Sequence, residues 1–301
     1  MTDQFISGLP TGTIDALTAA FPLELGMPTG TLTIQSSLLQ TAQFLTEQGL
    51  IEDTAYINGL NVNYTTSGSF SVTNGAAFLP SANKFLIVTG TLTASFTPVA
   101  TNNSGSWQHV YMYDNAGVTS IEASTTVPSN PYRGVARTKS GDTSRRYLGS
   151  LYCDTGGYLF KFTSAVHGNV LKMNWMPTSP TVFPFRVAIG VASTTPVTLP
   201  ITHLVPVSGA FIGALVQVTL ALGAAADISA AVGASIPPEV SGVAAGEINL
   251  RIENAKAAAS MTMFLPPAEI KLTGTSIDYV TTDNAGTSTI GIRIKGVNIQ
   301  R

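Results

Sequence analysis

Trp107–Gly149 reads WQHVYMYDNAGVTSIEASTTVPSNPYRGVARTKSGDTSRRYLG, and the class of the fold is decided here. Trp107, His109, Tyr111 and Tyr113 alternate with Gln108, Val110, Met112 and Asp114. That is the two-residue period of a strand, whose successive side chains point to opposite faces. Asp114-Asn115-Ala116-Gly117 supplies residues that tolerate positive φ, which predicts a hairpin returning along Val118–Ser124. Pro128 and Pro131 lack a backbone donor and interrupt the ladder. A basic run follows, Arg133, Arg137, Lys139, Arg145 and Arg146, with Asp142 as the one acid among them. Ser140-Gly141-Asp142-Thr143 forms the turn into a strand from Arg146 to Cys153.

Strands extend outward from this stretch in both directions. Ile57–Tyr64, Phe70–Thr73, Ala76–Leu79 and Phe85–Val88 are short and separated by Asn-Gly, Ser-Gly or Pro. Thr89–Phe96, all Thr, Ser, Gly, Ala and apolar residues, fits an exposed strand, and Asn102–Gly105 fits a loop. Tyr158, Phe160 and Phe162 place three aromatics on one face. Such spacing predicts a sandwich or small barrel over residues 53–178. Met176–Pro184 carries three prolines in nine residues and is the expected junction. Beyond it Phe183, Phe185, Val187, Ile189 and Val191 alternate, as do Ile248, Leu250 and Ile252. Ile290, Ile292 and Ile294 oppose Arg293 and Lys295 in a last strand over Thr289–Ile299, after a turn at Asp283–Gly286. Gly223–Gly246, rich in Ala and Gly, has no clear period and leaves room for one short helix and long loops. The expected fold is all-β: a short N-terminal segment with little helix (1–52), then two β-sandwich domains of jelly-roll type (53–178 and 179–301).

The N-terminal segment has its own pattern. Gly8-Leu9-Pro10-Thr11-Gly12-Thr13 recurs nearly unchanged as Gly26-Met27-Pro28-Thr29-Gly30-Thr31. Pro followed two places on by Gly is ordinary turn chemistry. The repeat reads either as two similar turns or as paired hooks, Pro10, Thr11, Gly12 and Pro28, Thr29, Gly30, that dock on repeated sites of a partner. Short helices are expected at Asp15–Phe21 and at Ser36–Gln48, the second capped by Ser36 or Ser37 and stopped by Gly49. Too few apolar residues are present for a core, so this segment is expected to be stable only against a partner.

The runs HVYMYDNAG, IEASTTVP and PYRGVARTKSGDTSRRYLGSLYCD resemble a module of structural and tail-fibre-type proteins of tailed bacteriophages. There a YxYDNxG-like hairpin precedes an ARTKxGDxSRRYLGS-like segment. The resemblance spans Tyr56–Phe162, about a third of the chain by motif-like positions. It implies a virion structural protein and brings no catalytic residues with it.

Composition agrees with that implication. Only 11% of the 301 residues are charged, against a typical quarter, and 28 Gly and 17 Pro accompany abundant Ser and Thr. A surface so poor in charge suits a chain covered by neighbours, and a homotrimer is the expected assembly. The net charge of −2 argues against nucleic-acid binding, which needs many cations on one face. The single cysteine, Cys153, excludes an internal disulfide and a CxxC site, and its place on a strand predicts a buried thiol. Met1–Gln4 lacks the basic start of a signal peptide. Phe211–Ile236, the most apolar window, is broken by Gln217, Asp227 and glycines, so no membrane insertion is expected.

The sequence offers little toward catalysis. His109, His167 and His203 lie far apart, without metal-ligand spacing, and no cofactor is expected. GxSxG, P-loop and GxGxxG motifs are missing. Glu52 with Asp53, Asp114 with Glu122, and Glu239 with Glu247 are the conceivable carboxylate pairs for glycoside hydrolysis. His109 reads as a hydrogen-bonded strand residue. The basic run, Arg133, Arg137, Lys139, Asp142, Arg145 and Arg146, can either grip an anionic ligand such as a phosphorylated surface glycan or bond main-chain carbonyls and acids of its own or a neighbouring subunit. Assembly is the favoured use, because the run lies inside the shared module. The expected function is therefore that of a bacteriophage virion component of the tail fibre, tail tip or baseplate. It would be made in the bacterial cytoplasm, bind other virion proteins through residues 1–52, and contact a host surface glycan or protein through outer loops such as 224–246 or 273–286. Capsid decoration or a head fibre without receptor role is the alternative, and a polysaccharide depolymerase a remote one.

Overall fold

A computed structural model describes residues 55–95, 106–154, 156–176, 185–191, 193–201, 204–206, 210–222, 228–233, 248–252, 261–264, 267–271, 276–281 and 289–301. The repeated Pro-Thr-Gly turns, both expected helices, Asp283–Gly286, and the acids Glu52, Asp53, Glu239 and Glu247 lie outside these residues. The described residues are all-β, and every strand pairing among them is antiparallel.

The strands run β1 Ile57–Gly59, β2 Val62–Thr66, β3 Ser69–Val72, β4 Gly75–Leu79, β5 Lys84–Val88 and β6 Leu92–Ser95. They continue as β7 Ser106–Asn115, β8 Val118–Ser124, β9 Thr138–Lys139, β10 Asp142–Cys153, β11 Phe162–His167 and β12 Val170–Trp175. Then come β13 Arg186–Val191, β14 Val197–Pro200, β15 Phe211–Leu222, β16 Ile228–Gly233 and β17 Ile248–Ile252. The last are β18 Met261–Phe264, β19 Ala268–Ile270, β20 Ser276–Thr281 and β21 Thr289–Gln300. They form five sheets: β1-β4-β5, β2-β3-β6, β8-β7-β10-β9, β14-β20-β16-β17, and a seven-stranded sheet β11-β12-β21-β15-β18 with β13 on β21 and β19 on β15.

The hairpin at Trp107–Ser124 forms as its residues dictate. β7 ends at Asn115, Ala116 and Gly117 take φ of 50° and 89°, and β8 begins at Val118. Asp114 Oδ1 accepts from Gly117 N at 3.0 Å and ties the turn. Both faces of β7 are covered from Trp107 to Met112, so this strand lies inside the layers. Ile57–Tyr64, expected as one strand, is two, because Leu60 takes φ of 57° and breaks the ladder. Tyr158 is exposed, unlike Phe160 and Phe162, since Asp154 ties the preceding residues into a loop and regular pairing resumes only at Phe162. Part of the Ala/Gly-rich stretch is strand β16, with Ala230, Ala231 and Val232 buried. It pairs with β17 on one edge and β20 on the other.

The expected boundary at 178/179 is bridged by a sheet. β12, before the proline-rich segment, pairs with β21 from Val170↔Gln300 to Asn174↔Gly296. The aromatic core spans the same place: Trp175 stacks on Phe185 at 4.7 Å and 6°, with Trp107, Tyr152 and Phe160 edge-on or tilted around them. All described residues fall in one compact unit. In β21 the buried apolar side chains are Ile290, Ile292 and Ile294, then Val297 and Ile299, with Gly296 and Asn298 buried beside them. A bulge opposite Leu215 and Val216 shifts the parity and keeps apolar side chains inward along the whole strand.

Candidate functional site: the basic segment and its tyrosine face

The register of β7, β8 and β10 explains why the YMYDNAG and ARTKSGDTSRRYLG segments occur together. Tyr111 lies opposite Glu122, and Tyr113 lies opposite Arg145. These side chains share one face. Lys139 Nζ is 2.9 Å from Glu122 Oε1 and 5.6 Å from the Tyr111 ring centre. The Arg145 guanidinium sits 3.9 Å over the Tyr113 ring, with Nε 3.4 Å from Glu122 Oε1 and 3.9 Å from Asp142 Oδ2. Its Nη1 donates to Ser144 Oγ at 2.8 Å, and Ser144 donates through both N and Oγ to Asp142 Oδ1 at 2.9 and 2.6 Å. The Ser144 hydroxyl foremost, with its amide and the nearby cations, holds the Asp142 carboxyl below the usual carboxylate range. Glu122, expected only as a possible partner of Asp114, is the hub of this face.

Arg146 and Arg137 are placed differently. Arg146 is fully buried and donates to the carbonyls of Arg137 (3.0 Å), Tyr147 (3.3 Å) and Ala55 (3.4 Å), with the Tyr132 ring centre at 5.8 Å. Burial lowers its pKa. Arg137, also buried, donates from Nη1 to Ser129 O at 2.9 Å. Arg133 is exposed beside the turn closed by Ala136 N to Arg133 O at 2.9 Å. The basic segment therefore separates into three parts: Lys139, Asp142 and Arg145 around Glu122, two buried guanidiniums on carbonyls, and Arg133 at the tip.

Asp114 does not join Glu122. Adjacent parity puts it on the other face of the hairpin, where it takes a 2.6 Å ion pair from Lys84. That bond foremost keeps its carboxyl below the usual range. His109 is buried, with Nδ1 2.8 Å from Ser150 Oγ, which is itself 2.6 Å from the Tyr147 hydroxyl. It is the hydrogen-bonded strand residue expected, and burial lowers its pKa to about 4. Tyr111 donates to Thr126 O at 2.6 Å, and burial raises its pKa. The Cys153 thiol is buried and pushed up to about 12.

Two features escape a reading of the sequence. Arg301, buried by strands far away in the chain, carries no local signal of its role. A shallow groove of about 500 Å³ between the β5–β6 turn (Thr89, Gly90, Thr91) and the hairpin tip (Gly117, Val118, Thr119) offers hydroxyls and exposed Val118, and none of the basic residues lines it. Phe211–Leu222 is strand β15, and no helix among the described residues is long and apolar enough to cross a membrane. No protein-family model matches the chain, and no curated protein matches it.

Proposed function

We propose that this is a structural protein of a tailed-bacteriophage virion, a tail-fibre, tail-tip or baseplate component that takes part in host attachment and performs no catalysis. It assembles as a homotrimer in the bacterial cytoplasm, joins other virion proteins through residues 1–52, and meets a host surface glycan or protein through its outer loops. The observation that carries the reading is the mutual packing of the two segments behind the family resemblance. Tyr111, Tyr113 and Glu122 on the hairpin receive Lys139 and Arg145 from the basic segment, while Arg137 and Arg146 bind main-chain carbonyls. Cations held this way stiffen a scaffold and leave few donors for a phosphorylated ligand. The β-sandwich-like, all-β architecture has edge strands that can pair laterally with other chains.

The test is adsorption. Purified protein should sediment as a trimer, bind susceptible cells, compete with intact phage and release no reducing sugar. Antibody labelling should fall on the tail. Labelling of the capsid with no competition would replace this reading with head decoration, and release of reducing sugar would replace it with depolymerisation.

A further inference from the structure

Arg301 follows β21 with its side chain fully buried. Its Nη1 donates to Leu60 O at 2.8 Å, and Nη2 donates to Gly59 O at 2.7 Å and Gly168 O at 3.1 Å. Its main-chain N donates to Asn169 O at 3.0 Å. Every acceptor is a main-chain carbonyl. The three that receive the guanidinium share a backbone state: Gly59, Leu60 and Gly168 have φ of 63°, 57° and 59°.

That state has a consequence for where the carbonyls point. Two consecutive left-handed residues aim their C=O groups to the same side, as in a turn of left-handed helix, and so withdraw them from the ladder. Leu60 is a bulky residue in a conformation such residues avoid, and something must hold it there. Sterics do part of this. A Cβ on Gly59 would lie 2.5 Å from Asn74 O, and one on Gly75 would lie 2.3 Å from Asn58 O, so the paired ends of β1 and β4 approach at contact distance. Leu60 N donates to Asn74 O at 3.0 Å just beyond that pair. Leu60 is buried and its carbonyl requires a donor, whereas the Gly59 and Gly168 carbonyls are only partly covered.

We infer that the Gly59, Leu60 and Gly168 carbonyls form a cradle for a planar, forked cation, and that Arg301 is its built-in occupant. Filling the cradle fastens the bend between β1 and β2, the turn between β11 and β12, and the end of β21 to one another. Only the two terminal nitrogens are used; Nε finds no acceptor, so the fork itself is what fits. Burial foremost, then the charge of Arg146, lowers the pKa of Arg301 to about 10, and the group remains a cation at neutral pH. This inference is independent of the proposed function.

The test is chemical rescue in the full chain. Arg301→Ala should lower the thermal midpoint by about 10 °C. Amide exchange should quicken at residues 59–61 and 168–170, and stay unchanged in β7 and β10. Ethylguanidinium at concentrations far below denaturing should restore both, saturably, whereas ethylammonium should not and wild-type protein should not respond. Unchanged exchange at 59–61 in Arg301→Ala, equal rescue by the two cations, or no rescue of a folded variant would each overturn the inference. If Arg301→Ala does not fold, Arg301→Lys decides. It keeps the charge but not the fork, so it should exchange faster than wild type at 59–61, and wild-type protection there would overturn the cradle.

Discussion

Acid should weaken this protein through His109 before it touches the carboxylates. The ring lies between strands, with Ser150 Oγ at 2.8 Å and the Tyr147 ring tilted beside it at 6.3 Å. Burial lowers its pKa from 6.5 to about 4. The sign follows directly. Above 6.5 the imidazole is neutral both folded and unfolded and costs nothing; as pH falls below 6.5 the unfolded chain takes up a proton that the folded chain refuses until about 4. Stability is lost across that window, by about 3 kcal/mol in full and about 2.5 kcal/mol by about pH 4.5. The depressed carboxyls of Asp114 and Asp142 act lower down: their contributions are present above 3.8 and lost as pH falls below it. Urea unfolding followed by Trp107 and Trp175 fluorescence should show the midpoint falling by about 1 M between about pH 7.5 and about pH 4.5. His109→Gln, which can still bond Ser150 but does not titrate, should remove most of that fall. A His109 resonance that titrates near 6.5 in the folded protein, or an unchanged pH dependence in the variant, would refute the reasoning.

Gly75→Ala should cost about 3 kcal/mol or more, because its Cβ would meet main-chain atoms of Asn58 and Leu60 at 2.3 and 2.4 Å and neither segment can yield; thermal melting measures it. Glu122→Gln should cost about 1 kcal/mol at low salt, since the partly exposed Lys139 and Arg145 lose their shared anion, and the difference from wild type should shrink at about 0.5 M salt. Cys153, buried and pushed up to about 12, should resist a thiol reagent at neutral pH in native protein and react at once in urea.

What was legible in the sequence was local. Alternation in Trp107–Asp114, the DNAG turn and the return along Val118–Ser124 depend on neighbours in the chain, and the structure has the strand over Ser106–Asn115 and the return over Val118–Ser124. The face of Ile290, Ile292 and Ile294 is equally local. The basic residues were visible as a group, but their sorting was not. Whether Arg145 meets Tyr113 or Arg146 meets the Ala55 carbonyl depends on strand parity and on which layer covers each face. Leu60 gives no sign of its left-handed backbone, because the demand comes from the close pairing with Asn74 and Gly75, which lie outside its local pattern. Proline density at Met176–Pro184 suggested separation, yet prolines limit only local pairing. They do not stop Trp175 and Phe185 from stacking across them.

Strand β21 sits between β12 and β15 and also receives β13, so these strands wait for a partner made about 70 to 130 residues later. Until it arrives, β12 and β15 have no common neighbour and the edges that pair with it stay open. Pairing at such sequence separation makes folding slow, and the waiting strands are templates for other chains. Yield in the cell should therefore depend less on the stability of the finished molecule than on how crowded the nascent chains are. Lower temperature and slower expression should raise the soluble fraction without altering the melting point.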